Sequence, residues 1–115
     1  MRLRNTMVAA LGALVLVVTL PTSAGAATGE FSYKYTGLNG QAQEARLSDP
    51  PGRECITLPE VADPDASNPA HSPRNDTDAT ATVFTDVDCD GDYYTLRPNG
   101  GSASERLKLR SVVFS

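Results

Sequence analysis

From residue 31 onwards, the sequence consists of short runs rich in β-branched and aromatic residues, separated by clusters of glycine, proline and asparagine. No stretch of this region carries apolar residues at the 3.6-residue spacing of an amphipathic helix. The pattern therefore predicts an all-β fold. The predicted strands cover residues 31–36, 42–47, 54–58, 80–85, 92–96 and 107–114.

Two kinds of segment separate these strands. Tight turns are predicted at residues 38–40, 49–52 and 98–101, each of which contains glycine. Residues 59–74 contain four prolines and little apolar bulk. Because proline cannot donate a hydrogen bond to a strand ladder, residues 59–74 are predicted to form a long loop outside any central strand.

The N-terminus has the layout of a secretory signal peptide. Arg2 and Arg4 precede an apolar run at residues 7–20, which is too short to span a bilayer, and Ala24-Gly25-Ala26 supplies the small residues of a cleavage site. We therefore expect residues 1–26 to be removed and residues 27–115 to form one secreted, extracellular domain. No second apolar stretch is long enough for membrane insertion.

A domain of this size lies near the lower limit for a self-sufficient hydrophobic core, so a covalent cross-link is expected. The only two cysteines, Cys55 and Cys89, both follow the leader, and exported chains enter a compartment where thiols oxidise. These two cysteines are therefore predicted to form a disulfide. The alternative is a pair of separate reactive thiols.

The predicted mature chain is acidic. Arg2 and Arg4 leave with the leader, so eight basic residues face 14 acidic ones and the net charge is −6. This charge argues against nucleic acid as a partner and favours a cation, a basic protein or a basic cell surface, unless the acidity only keeps the protein soluble. A monomer is expected.

Two glycine turns form a weak internal repeat. Tyr33 precedes Leu38-Asn39-Gly40 by five residues, and Phe84 precedes Cys89-Asp90-Gly91 by the same distance. Each half then has a polar stretch that leads into a strand, at residues 75–83 and 106–114, and the second of these includes Ser111.

This layout resembles the βγ-crystallin superfamily, whose motifs begin with aromatic-x4-aromatic-x-Gly and end with a serine before the last strand. Leu38 and Cys89 stand where the family has its second aromatic residue. The resemblance implies a two-motif Greek key β-sandwich. Secreted microbial members of the superfamily include calcium-binding domains, protease inhibitors and killer-toxin-like proteins, so a non-enzymatic role is implied.

The residues give little support to catalysis. His71 is the only histidine, and it falls in the predicted 59–74 loop, where a solvent-exposed side chain is expected. The predicted disulfide consumes both thiols, and no carboxylate pair is marked by an apolar setting that would raise the pKa of one member. The chain is predicted not to be an enzyme.

Calcium is the single cofactor that the sequence suggests. Aspartates alternate before and after Gly91, as at the start of an EF-hand loop, but Arg97 occupies the twelfth position, where a glutamate is needed. The alternative is a solvated acidic face. The candidate ligands at this turn are Asp86, Asp88, Asp90 and Asp92.

A weaker calcium site follows from the family resemblance. Asn75 and Asp76 match the leading pair of the family's calcium motif, and Thr80 stands at its last position, but Ala79 lacks the hydroxyl of the residue before it. Downstream, Arg106, Lys108 and Arg110 alternate with leucines, which predicts a strand with one cationic surface face.

Together these features predict a secreted binding or inhibitory module that acts on an unidentified extracellular protein or cell-surface partner. The proline-rich segment 59–74 is its candidate recognition element, because a rigid loop loses less entropy on docking. The alternative function is a calcium-stabilised extracellular structural or envelope-associated protein.

Overall fold

The computed structural model describes residues 25–115, so the predicted leader at residues 1–26 lies almost wholly outside the described residues. This part of the chain contains nine β-strands and no α-helix. The all-β prediction is confirmed. The strands are β1 (Gly29–Thr36), β2 (Ala42–Ser48), β3 (Ile56–Thr57), β4 (Ala70–Thr77), β5 (Ala81–Phe84), β6 (Tyr93–Leu96), β7 (Gly101–Ser102), β8 (Lys108–Leu109) and β9 (Ser111–Phe114).

The strands form two antiparallel sheets. The first sheet has the order β2-β1-β4-β7, with β8 also paired to β4, and the second has the order β3-β9-β5-β6. Strand β3 belongs to the first half of the chain but pairs with β9, whereas β7 belongs to the second half but pairs with β4. The first half therefore contributes β3 to the second sheet, and the second half contributes β7 and β8 to the first sheet.

The core lies between the two sheets. Phe31 of the first sheet and Phe114 of the second are fully buried and meet edge to face, with ring centroids 5.4 Å apart. Tyr33, Val83 and Val112 are buried beside them, and they occupy alternate positions of their strands, as a sheet with one covered face requires. The architecture is therefore compatible with a β-sandwich.

The prediction of a loop over residues 59–74 is wrong for its last part. Residues 70–74 belong to β4, a central strand between β1 and β7, and Pro73 is buried within it. Ser72 has a left-handed φ of 53°, and the β1–β4 register shifts between Ser32 and Lys34. Pro73 therefore lies at a bulge, where the hydrogen-bond ladder is interrupted. Because no ladder bond is expected there, the N–H that proline lacks is not needed.

The predicted strand at residues 107–114 is also divided. Its two pieces, β8 and β9, pair with different sheets, and the chain crosses between the sheets at Arg110. The expected cationic surface face is therefore wrong at this position, because the Arg110 side chain is only 8 % exposed.

The disulfide prediction is confirmed. Cys55 and Cys89 are bonded, with Cα atoms 5.9 Å apart, and they are 34 positions apart in sequence. The bridge joins the start of β3 to a 3₁₀ turn at Val87–Cys89 that follows β5. It therefore fastens a short strand from the first half of the chain to the second half.

Candidate functional site

A groove lies between the turn that joins β1 to β2 and the loop that precedes β4. We call it the hairpin groove. Its volume is about 740 Å³. It is lined by residues 35–39, Gln43, Glu60 and residues 66–68.

The first wall of the hairpin groove is the β1–β2 turn. The Gly37 N–H donates to the Gln41 carbonyl at 2.8 Å, and the Gln41 N–H donates to Asn39 Oδ1 at 3.1 Å. Gly40 adopts a φ of 80°, a left-handed conformation that glycine reaches without strain. Leu38 projects from this turn with 106 % relative exposure, so a branched apolar side chain stands fully in solvent.

The second wall is the loop at residues 58–69. It begins with a 3₁₀ turn at Pro59–Val61, and the side chain of Val61 is buried in the core. Further along, the Asp63 carboxylate accepts from the Asp65 N–H at 2.9 Å, and the Ser67 hydroxyl donates to the Asp63 carbonyl at 2.6 Å. The loop is therefore held by its own hydrogen bonds as well as by proline.

Glu60 joins the loop to the first sheet. The Tyr33 hydroxyl donates to Glu60 Oε1 at 2.6 Å, and the ring of Tyr33 is buried. Burial, and then the hydrogen bond to the Glu60 carboxylate, raise the pKa of Tyr33 above its ordinary value. The hydroxyl therefore stays protonated and keeps donating across the physiological pH range.

Arg110 is hydrogen-bonded to the loop at two points, Val61 and Ser67. Its guanidinium donates to the Val61 carbonyl at 2.9 Å, to Ser67 Oγ at 3.1 Å and to the Ser67 carbonyl at 2.8 Å. The three ion pairs of residues 25–115 do not include Arg110. This buried cation is thus stabilised by loop oxygens, and the conformation of residues 61–67 depends on it.

The acidic turn predicted to bind calcium lies elsewhere, between β5 and β6. Asp86, Asp88, Asp90 and Asp92 are all exposed there. Gly91 has a φ of 84°, and a Cβ at this position would clash with Thr85 Oγ1 and approach Asp86 Oδ2 to 2.8 Å, so the predicted need for glycine in a sharp turn is met. Residues 25–115 contain no group of three or more histidine, cysteine, aspartate or glutamate side chains placed to hold a metal ion.

Calcium binding at this turn stays a prediction from the sequence, and a melting experiment tests it. A site with a dissociation constant of about 0.1 to 1 mM would stabilise the fold by roughly 1.4 to 2.7 kcal/mol in 10 mM calcium. That gain raises the melting temperature by about 6 to 20 °C relative to a chelator. Asp88→Ala and Asp90→Ala abolish the shift and Asp76→Ala preserves it if the acidic turn holds the ion; an unchanged melting temperature in the unmodified protein contradicts the calcium prediction.

The residues of the weaker calcium prediction do not converge. Asn75 is fully buried, and its amide donates to the carbonyls of Ala79, Leu96 and Arg97 at 2.8, 3.2 and 3.1 Å. Asp76 alternates to the outer face of β4 and pairs with Arg74 at 2.8 Å. Thr80 lies beyond the end of β4 and is half-buried. Through the bonds to Leu96 and Arg97, Asn75 thus links β4 in the first half of the chain to the end of β6 in the second half.

His71 lies in β4 and is half-buried, so the expectation of an exposed loop histidine is wrong. Its Nδ1 is 2.8 Å from Ser72 Oγ.

In the part of the chain that the structure describes, no helix is long and apolar enough to cross a membrane.

Comparison with known proteins gives no further guidance. No family model, curated protein or solved structure matches this chain.

The sequence reasoning missed Glu60 and Arg110 as supports of the hairpin groove. The one local signal was Leu38, an apolar residue directly before Asn39-Gly40, where a turn leaves it without a strand to pack against.

Proposed function

We propose that this chain is a secreted, non-enzymatic binding or inhibitory module of βγ-crystallin-like fold, which docks an extracellular protein in the hairpin groove. The observation that carries the proposal is the loop at residues 58–69. It is fixed at Glu60 by Tyr33 and at Val61 and Ser67 by Arg110, so little conformational entropy remains to be lost on docking.

The strand order supports the Greek key assignment. In the first half, β1 lies between β2 and β4 while β3 joins the opposite sheet, and in the second half, β5 lies between β6 and β9 while β7 joins the opposite sheet. In each half the last strand, β4 or β9, returns to lie beside the first, β1 or β5, which is the return connection of a Greek key. Gly40 and Gly91, which the internal repeat equates, both adopt left-handed φ angles, of 80° and 84°.

Secretion is supported by two independent features. The N-terminal sequence has the layout of a signal peptide, and a disulfide such as Cys55–Cys89 is typical of oxidising compartments. A target outside the cell follows from this location.

The chemistry of the hairpin groove supports one kind of partner. Leu38 offers an exposed apolar contact at one rim, and among residues 25–115 Glu60 is the only charged residue that lines the groove. A protein segment that carries an apolar side chain next to a basic one fits this pair, and it also suits the net negative charge of residues 27–115.

A panel of secreted proteases, metalloenzymes included, tests the inhibitory form of the proposal. We expect the purified protein to inhibit or bind at least one of them at micromolar concentration. Absence of both inhibition and complex formation across the panel contradicts the inhibitory form.

The role of the hairpin groove is tested with the partner so identified. Leu38→Asp raises the dissociation constant at least tenfold, because the contact at the rim of the groove is lost, whereas the melting temperature is unchanged since Leu38 packs against nothing. The matched control is Tyr93→Ala, which removes another exposed apolar side chain from the second sheet, and it should leave binding unchanged. Equal effects of the two substitutions would place the binding surface elsewhere.

A further inference from the structure

The outer edge of the first sheet is open. Strand β2 is seven residues long and pairs only with β1 among the described residues. Its register with β1 runs without a shift from Glu30↔Ser48 to Thr36↔Ala42, so no bulge distorts the edge, and the strand contains no proline. Bulges, prolines, very short strands and charged side chains are the usual protections against edge pairing, and β2 has only the last of these, at Glu44 and Arg46.

The ladder shows which backbone groups of β2 are free. The Gly37 N–H bonds the Gln41 carbonyl and the Asp49 N–H bonds the Gly29 carbonyl, so the ladder is hydrogen-bonded at both of its ends. Because hydrogen-bonded and non-bonded pairs alternate in an antiparallel ladder, the odd-numbered residues of β2 bond to β1. The even-numbered residues direct their N–H and C=O groups outwards. They are Ala42, Glu44, Arg46 and Ser48.

The sequence of this edge is complementary to itself. A twofold axis at Ala45 pairs β2 with β2 of a second copy in antiparallel orientation, and Glu44 then lies opposite Arg46 of the second copy, twice over. Ala42 lies opposite Ser48 at both ends. Every one of these pairs joins residues with outward-facing groups, so this register satisfies the whole edge with roughly eight backbone hydrogen bonds and leaves no overhang.

We propose that the chain forms a symmetric homodimer through antiparallel pairing of β2 with β2 of a second copy, centred on Ala45. Glu44 and Arg46 are exposed on the outer face, where Arg46 lies 3.2 Å from Glu30 and 3.9 Å from Glu44 of the same chain. In the dimer each Arg46 gains a second carboxylate directly across the strand pair, and opposite charges at such positions are stabilising. A second copy in this register places opposite charges across from Glu44 and Arg46, whereas a strand that places a like charge there is disfavoured.

The other free edges are less suited to this pairing. Strand β6 has four residues, and β3, β7 and β8 have two each. The proposed dimer uses the outer edge of β2, and it adjoins the hairpin groove because Gln43 of the same strand lines that groove. The sequence alone predicts a monomer, so oligomeric state separates the two.

Oligomeric state and charge exchange test the proposal. The protein, purified after expression of the full chain, should change from monomer to dimer mass with rising concentration in analytical ultracentrifugation. Glu44→Arg and Arg46→Glu each raise the dimer dissociation constant at least tenfold, because like charges then face each other. The double variant Glu44→Arg/Arg46→Glu restores the dimer dissociation constant to within about threefold, because the charges that face each other across the interface are again of opposite sign. The control Glu105→Arg makes the same charge change at an exposed position away from β2 and leaves the dimer dissociation constant unaltered.

Hydrogen exchange tests the register itself. At low concentration the amides of Glu44 and Arg46 exchange fast and that of Ala45 exchanges slowly; at high concentration all three are protected. A monomer at every concentration up to about 1 mM, a dimer that both single variants retain, or a double variant that is not restored overturns the proposal. So does fast exchange at Glu44 and Arg46 in the dimer.

Discussion

Replacing both Cys55 and Cys89 with alanine lowers the free energy of unfolding by roughly 3 to 4 kcal/mol. This is the chain-entropy value for the 34-position separation that the bridge closes. For a domain of this size the melting temperature falls by about 12 to 30 °C. Since small domains have only about 5 to 15 kcal/mol in total, the bridge supplies a large fraction of the stability.

The position of the bridge explains why other contacts do not replace it. Strand β3 pairs with β9 through only Ile56 and Thr57, which is too short a ladder to hold the crossing segment by itself. On the other side of the bridge, Asp88 and Cys89 have left-handed φ angles of 59° and 55°, which cost free energy in residues other than glycine. The Cys89 N–H is held by Ser111 Oγ at 2.8 Å, and the disulfide ties this strained turn to β3.

Reduction provides the control for the double cysteine variant. Cys55 is exposed, so a reductant reaches the bridge in the folded protein. The reductant should lower the melting temperature of the unmodified protein by the same amount and leave the alanine variant unchanged. Non-reducing mass spectrometry should give a mass two hydrogens below that of the dithiol. Free thiols in freshly exported protein, or equal melting temperatures with and without reductant, would contradict the expectation.

The strands that could be predicted from the sequence are those whose side chains alternate. In β1, Phe31 and Tyr33 are buried while Lys34 is exposed, and β5 has the same alternation at Ala81 and Val83. In such strands the alternation of apolar and polar residues along the sequence shows which face is buried and which is exposed to solvent. The tight turns at Gly40 and Gly91 were predictable for a similar local reason, since each needs a left-handed residue.

Strand β4 could not be predicted because it contradicts its local preferences. Its residues are almost all polar, and Pro73 lies in the middle. Long-range hydrogen bonds, including those from Asn75 to Leu96 and Arg97, offset the cost of burying Asn75 and Thr77. A short sequence window shows none of these bonds. Tertiary context overrides propensity here.

The hairpin groove was predictable only in outline. The proline content of residues 59–74 indicated a rigid segment, and its first two-thirds do form one wall of the groove. Its supports are separated from it in sequence, since Tyr33 is 27 positions from Glu60 and Arg110 is 43 positions from Ser67. Arg110 also looked like one of three alternating surface cations, because nothing local marks the point where the chain crosses from one sheet to the other.

Arg110→Met lowers the free energy of unfolding by roughly 2 to 3 kcal/mol, because methionine fills similar space but donates no hydrogen bond. The substitution leaves the carbonyls of Val61 and Ser67 without their donor, and unpaired buried acceptors cost about 1 to 3 kcal/mol each, offset in part by relief of the buried charge. Thermal melting should show a fall of about 8 to 24 °C. Hydrogen exchange should show the amides of residues 61–67 loosened beyond the global effect.

Lys108→Met is the matched control for Arg110→Met. It removes a cation two positions away, but Lys108 is exposed and its Nζ donates only to the Glu105 carbonyl, so its cost should stay within about 0.5 kcal/mol. Arg110→Lys keeps the charge and loses the fork that reaches both carbonyls, so its stability should lie between the other two. Because the loop forms one wall of the hairpin groove, Arg110→Met should also weaken partner binding while Lys108→Met does not. If the exchange of residues 61–67 rose no more than that of the core strands, Arg110 would support the whole fold rather than position the loop.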